Sequence, residues 1–151
     1  MNSQYVITKD GLRVHVLVDG AEDAPPIVLL HGYPSSGLLW RNIIPGLAEH
    51  FRVYAPDLPG YGRSDKPAYA AYDRQFHVRA IGQIFDALGL EQAALACHDT
   101  GGVVGLAFAA QNPARISRLV VLDTVVHADI PRLVQVGFQM MGWPGISHFL
   151  L

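Results

Sequence analysis

Apolar and polar positions alternate with period two near the start of the chain and recur with a period near 3.6 further on, so strands and helices both contribute. Tyr5 to Thr8 and Leu12 to Val18 flank Lys9-Asp10-Gly11, and an Asp-Gly pair between alternating apolar runs predicts a β-hairpin. Short apolar runs at Ile27 to Leu30, Phe51 to Ala55, Ala93 to Cys97 and Leu119 to Leu122 read as further strands. Between them, Leu38 to Ala48 reads as a helix. Over Asp73 to Leu88 the residues Phe76, Val78, Ile81, Ile84, Phe85 and Leu88 recur at helical spacing, and Gly101 to Gln111 reads as a third helix stopped by Asn112-Pro113. Strands alternating with helices of this length imply parallel strand pairs joined by crossovers, hence an α/β layered sheet.

Composition narrows the possible partners. A chain of 151 residues that is 50% hydrophobic and 16% charged fits one domain with a sizeable core. A formal charge of −2 leaves no basic footprint, so neither nucleic acid nor a membrane surface is expected as partner; a small neutral molecule is. Met1-Asn2-Ser3-Gln4 is polar and shows no secretory signal, and one cysteine, Cys97, excludes an intramolecular disulfide. Both point to the cytoplasm. Cys97, closing a buried strand, reads as a small packing residue. Leu133 to Leu151 contains no Asp, Glu, Lys or Arg, but its three glycines, Pro144 and interspersed polar residues argue against a membrane span. The expected division is therefore a core over 1–132 and an apolar segment over 133–151. That segment would be covered by the rest of a larger fold, by a second copy or by a complementing chain.

The richest chemistry lies at His98-Asp99-Thr100-Gly101-Gly102, which follows a strand-like run and opens a Gly/Ala-rich helical one. A carboxylate on a sharp strand-to-helix turn is exposed at the sheet edge and sits in the positive end of the helix dipole, which makes Asp99 the candidate nucleophile. Cys97, Gly101 and Gly102 are the small residues that such a crowded turn needs. Two further segments fall at the C-terminal ends of strands, where α/β sheets bind ligands: His31-Gly32-Tyr33-Pro34, and the loop Asp57-Leu58-Pro59-Gly60-Tyr61-Gly62-Arg63-Ser64-Asp65.

In this order the three segments resemble the α/β-hydrolase fold, in the branch with an aspartate nucleophile that includes epoxide hydrolases and haloalkane dehalogenases. The resemblance runs from the opening hairpin to the strand ending at Asp123 and covers the N-terminal half of such an enzyme. It implies an oxyanion hole made by the backbone N–H groups of Tyr33 and Thr100. It also implies attack by Asp99 on an electrophilic carbon and hydrolysis of the resulting ester by water. No metal or cofactor is implied, and His15, His50 and His77 lack metal-ligand spacing. Asp57 and Arg63 are expected to hold their loop, and His31 to prop the oxyanion segment by hydrogen bonds.

The chain departs from the family pattern in its base. The family histidine follows the last strand; after Asp99 this chain has only His127 and His148, and neither stands at that position. Asp123 resembles the acid position of one dehalogenase branch, and an acid at a strand end equally caps a turn. Dehalogenases of the family place a tryptophan after the nucleophile and often an asparagine after His-Gly to hold the halide. Thr100 and Tyr33 stand there instead, which favours epoxides over haloalkanes. Epoxide hydrolases protonate the opening oxygen with tyrosines of a cap domain, whereas all six tyrosines here precede Asp99. Two other readings remain: a catalytically incomplete half-domain acting as an interaction module, and an aspartic protease on the triplet Asp99-Thr100-Gly101, which would require an all-β chain.

Overall fold

The computed structural model describes residues 1–124. His127, His148 and the 133–151 segment, with the expected domain division there, lie outside the described residues. Six strands form one sheet: β1 (Asn2–Ile7), β2 (Arg13–Asp19), β3 (Pro26–Leu30), β4 (Arg52–Pro56), β5 (Ala93–His98) and β6 (Ile116–Leu122), in spatial order β1-β2-β4-β3-β5-β6. β1 pairs antiparallel with β2 and β2 antiparallel with β4; β4, β3, β5 and β6 run parallel.

The hairpin closes where the Asp-Gly signal places it. Gly11 takes φ +82°, a left-handed conformation that costs glycine little, and its N–H donates to the Thr8 carbonyl at 2.9 Å. The Thr8 hydroxyl accepts from the Leu12 N–H at 3.0 Å. The helix expected over Leu38 to Ala48 is instead two short pieces, a 3-10 turn over Gly37–Trp40 and α1 over Ile44–Ala48. Pro45 explains the break, because it has no N–H to donate to a preceding turn and its ring clashes with the carbonyl four residues back, so it stands in the first turn of α1. α2 (Arg74–Ala87) starts at the N-cap Asp73, whose carboxylate accepts from the Phe76 N–H at 2.7 Å. It ends at Gly89, with φ +70°. α3 (Thr100–Gln111) follows β5 with one intervening residue, Asp99. This mixed architecture removes the all-β reading of Asp99-Thr100-Gly101.

The core is built on both faces of the sheet. Along β3 the side chains alternate: Val28 and Leu30 join Leu95, Cys97, Ile81, Phe85, Val104 and Phe108 beneath α2 and α3, while Ile27 and Leu29 join Val53, Ala55, Trp40 and Ile44 beneath α1. β6 is the outermost strand, and Leu119, Val120 and Leu122 on it are exposed among the described residues.

The strand order reverses between β3 and β5. Connections leave these neighbours toward opposite faces of the sheet, which opens a crevice at their C-terminal ends. α3 nevertheless packs close to β3. A Cβ on Gly101 would collide with the backbone carbonyls of Leu30 and His31, and one on Gly105 would lie 2.7 Å from the Cys97 sulfur. Gly46 in α1, by contrast, has nothing within 4 Å of that position. We therefore expect Gly101→Ala to destabilise the chain by about 1–3 kcal/mol through overpacking. Gly46→Ala should stabilise it by up to about 1 kcal/mol through helix propensity. Urea denaturation midpoints check the pair, and equal effects would contradict the packing described.

Candidate active site

Asp99 occupies the single-residue turn between β5 and α3 with φ +53° and ψ −126°, a conformation that non-glycine residues adopt at a cost of about 1–3 kcal/mol. Four contacts hold it there. Its N–H donates to the Leu122 carbonyl at 3.2 Å, and its carbonyl accepts from the Gly102 N–H at 2.9 Å, from the Val103 N–H at 3.4 Å and from the Thr124 hydroxyl at 2.5 Å. Although it stands at the N-cap position of α3, its side chain makes no capping bond. The carboxylate turns toward β3, where Oδ2 accepts from the Tyr33 N–H at 3.0 Å. Gly32 makes this approach possible: a Cβ there would lie 2.6 Å from Oδ2 and 2.8 Å from the carboxylate carbon. Thr100 is the first residue of α3, so its N–H has no partner within the helix and points with the helix dipole toward incoming negative charge.

The segment that carries Tyr33 is braced from behind. His31 is fully buried, and its Nε2 accepts from the Leu58 N–H at 3.0 Å. That bond assigns the proton to Nδ1, which donates to the Gly32 carbonyl at 2.9 Å. The imidazole is thus used on both nitrogens as a neutral prop, and burial lowers its pKa in agreement. Asp57 ties the neighbouring loop to the same frame. Oδ1 accepts from the Gly37 N–H at 2.7 Å, and Oδ2 accepts from the Arg63 N–H at 2.8 Å and from His15 Nδ1 at 3.1 Å. Its backbone carbonyl accepts from the Ser64 hydroxyl at 2.6 Å. Asp57 and His31 are structural, as expected; Arg63 contributes here through its backbone.

Beside this frame stands an aromatic cluster that the local sequence does not announce. Tyr61 makes edge contacts with His31 and Tyr33, at ring-centroid distances of 5.3 and 6.2 Å, and lies 6.1 Å from His77. His77 also touches Tyr72 and Phe76, and its Nδ1 is buried without a partner among the described residues. Tyr61 stands between two glycines; Gly60 and Gly62 take φ +95° and +50° and leave room for the Tyr72 ring and the Asp57 carboxylate. His15, the partner of Asp57, lies 42 residues away and carries no local signal. Asp123 stands one strand over from Asp99, at the end of β6, exposed and with φ +44°. Cys97 lies beneath the turn with its thiol pushed up to about 11 by burial, which suits packing rather than reactivity. No helix among the described residues is long and apolar enough to cross a membrane.

Burial, and secondarily the nearby His31, lower the pKa of His77 from 6.5 to about 4, with Asp73 opposing. A depressed histidine means that the unfolded chain binds the proton more readily. Its contribution to stability is therefore complete above pH 6.5 and is lost as pH falls toward 4, by up to about 3 kcal/mol. Urea midpoints should drop across that window and drop less in His77→Phe, with the residual slope reporting His31. An unchanged slope in the variant would contradict the assignment.

Comparison with known proteins adds scale. The profile of the α/β-hydrolase fold matches residues 25–146. The chain is 48% identical over 117 residues to a haloalkane dehalogenase of Psychrobacter cryohalolentis, covering 76% of this chain and 39% of the dehalogenase. It is 39% identical over 128 residues to a soluble epoxide hydrolase of Corynebacterium sp., covering 85% and 42%. Among solved structures, the epoxide hydrolase CorEH superposes with a TM-score of 0.80 at 33% identity, over 93% of this chain and 50% of that one. The chain thus spans about two fifths of the curated relatives it matches.

Proposed function

The chain belongs to the α/β-hydrolase fold family, and on that premise we propose that Asp99 is the nucleophile of a hydrolase acting on a small neutral electrophile, an epoxide, through an alkyl-enzyme ester. The observation that carries this reading is the Asp99 carboxylate at a strained strand-to-helix turn, with one oxygen on the Tyr33 N–H at 3.0 Å. That bond distinguishes the two oxygens. Oδ2 becomes the carbonyl oxygen of the ester, and Oδ1 is left to attack carbon. When water later adds to the ester, the negative charge develops on Oδ2, between the N–H groups of Tyr33 and Thr100; one such donor is worth roughly 3 kcal/mol.

Water addition needs a base. Both buried nitrogens of His31 are committed to Gly32 and Leu58, so it cannot serve. His127 and His148 lie outside the described residues, and Asp123, at the end of β6, is the acid among the described residues assigned to orient a histidine. Thr100 and Tyr33, in place of side-chain N–H donors for a halide, support the epoxide over the haloalkane. The identity to a haloalkane dehalogenase supports a second reading, in which the same ester forms with loss of halide.

Intact-mass spectrometry after exposure to a terminal epoxide should show addition of one whole epoxide, and an alkyl bromide should instead add one alkyl group with release of bromide. Asp99→Asn should abolish either adduct. An adduct that survives in the variant would overturn the assignment of the nucleophile, and bromide reactivity without epoxide reactivity would select the second reading.

A further inference from the structure

The segment that carries Tyr33 is pinned at both ends, and both pins reach the same loop. At one end His31 Nε2 accepts from the Leu58 N–H at 3.0 Å; at the other the Gly37 N–H donates to Asp57 Oδ1 at 2.7 Å. Whatever fixes residues 57 and 58 therefore sets the place of the N–H that holds Asp99. β2 does so. The Asp57 N–H donates to the His15 carbonyl at 2.8 Å, the His15 N–H donates to the Ser64 hydroxyl at 2.9 Å, and that hydroxyl donates back to the Asp57 carbonyl at 2.6 Å. Further along, the Asp65 N–H donates to the Arg13 carbonyl at 2.9 Å and the Arg13 N–H to Asp65 Oδ2 at 2.8 Å. None of these bonds to β2 uses the Asp57 side chain, so the backbone of the loop and the direction of its carboxylate are held separately.

The carboxylate is aimed by His15. Both side chains are buried, and His15 Nδ1 stands 3.1 Å from Asp57 Oδ2. A carboxylate only accepts, so the proton is on Nδ1. Nε2 is buried with no partner among the described residues, so the neutral tautomer is the one that strands no N–H. Among the described residues no lysine or arginine side chain pairs with Asp57. Its charge is met by three N–H groups: Gly37 on Oδ1, and Arg63 and His15 on Oδ2. Removing one donor from a buried carboxylate costs more than removing one from an exposed group, and here only His15 supplies its donor from a side chain. Gly37 has little slack to follow a carboxylate that turns away. A Cβ there would lie 2.5 Å from the Ala55 carbonyl oxygen and 3.2 Å from Asp57 Oδ1.

We propose that His15 is a positioning residue for the Asp99 nucleophile, an assignment that rests on the Asp99 ester reading. Its imidazole N–H turns the Asp57 carboxylate so that Oδ1 meets the Gly37 N–H. That bond fixes the far end of segment 31–37, and the Tyr33 N–H within it is thereby held on Asp99 Oδ2 at 3.0 Å. His15 reaches the reacting atoms only through Asp57, Gly37 and Tyr33, and what it conveys is direction. A misdirected Tyr33 N–H leaves the two Asp99 oxygens undistinguished for attack and takes one donor from the charge that develops on the ester. The opening hairpin thus contributes to the chemistry through a single side chain on β2.

Two substitutions separate the donor from the ring. His15→Asn keeps an N–H donor, since asparagine Nδ2 is as many bonds from the backbone as histidine Nδ1, and loses the ring that packs edge-on to Tyr5 at 5.3 Å. His15→Phe keeps a ring and loses the donor. Amide hydrogen exchange reads the segment without requiring any reaction. In His15→Phe the protection of the Gly37 and Tyr33 amides should fall about tenfold or more relative to the core-strand amides of Leu29 and Leu95, whereas His15→Asn should hold that ratio within about threefold. The maximal rate of Asp99 adduct formation with a terminal epoxide, followed by intact mass, should fall about tenfold in His15→Phe, with the half-saturating epoxide concentration within about twofold. His15→Asn should restore that rate. A histidine that serves packing alone reverses the order, with His15→Asn the more damaged variant. That order, an unchanged ratio in His15→Phe, or protection lost equally at the segment and the core strands overturns the proposal. A native chain that forms no adduct overturns the Asp99 reading, and the exchange ratios then still decide whether His15 holds the Tyr33 N–H.

Discussion

Close approach between the Asp99 turn and the end of β3 is the constraint on which the site depends. Two backbones and a carboxylate share a volume in which no extra methyl group fits, and Gly32 and Gly101 keep it open from opposite sides. The left-handed backbone at Asp99 is affordable only because its neighbours over-determine it: β6 holds the N–H, and Thr124 and the first turn of α3 hold the carbonyl. The side chain is freed from capping and placed against an N–H of the adjacent strand's loop. Its placement is therefore a property of tertiary packing.

A second layer supports the first. The segment 31–37 has little regular structure and is held by buried polar groups from elsewhere in the chain, His31 to Leu58 and Gly37 to Asp57. Buried networks of this kind are worth having only when nearly complete, since each unmatched group inside costs more than a matched one gains. His31 and the Asp57 carboxylate meet that standard. His77, with Nδ1 unpartnered among the described residues, does not, and its burial couples its protonation state to the stability of the whole chain.

Much of this is legible in the sequence. The hairpin, the α2 helix and the succession of strands and helices along the chain follow from apolar period and from Asp-Gly, because these signals act over a few residues. Asp99 was legible because a strand-turn-helix with small residues on both sides is itself local. The division of the 38–48 helix turned on Pro45, whose missing N–H interrupts the hydrogen-bond ladder to the preceding turn and outweighs an apolar period over so short a stretch. Tyr61, His15 and the role of Gly32 were not legible. Their partners lie tens of residues away, and which of them meet is decided by how β2, β3 and β4 register against one another.

The exposed outer strand carries a consequence for how the chain behaves as a solute. β6 ends the sheet with a row of backbone donors and acceptors that no strand covers among the described residues, flanked by Leu119, Val120 and Leu122. Such an edge is a template for another strand, whatever segment supplies it. A strand that pairs there binds the folded sheet and not the unfolded chain, so its supply enters the folding equilibrium by mass action.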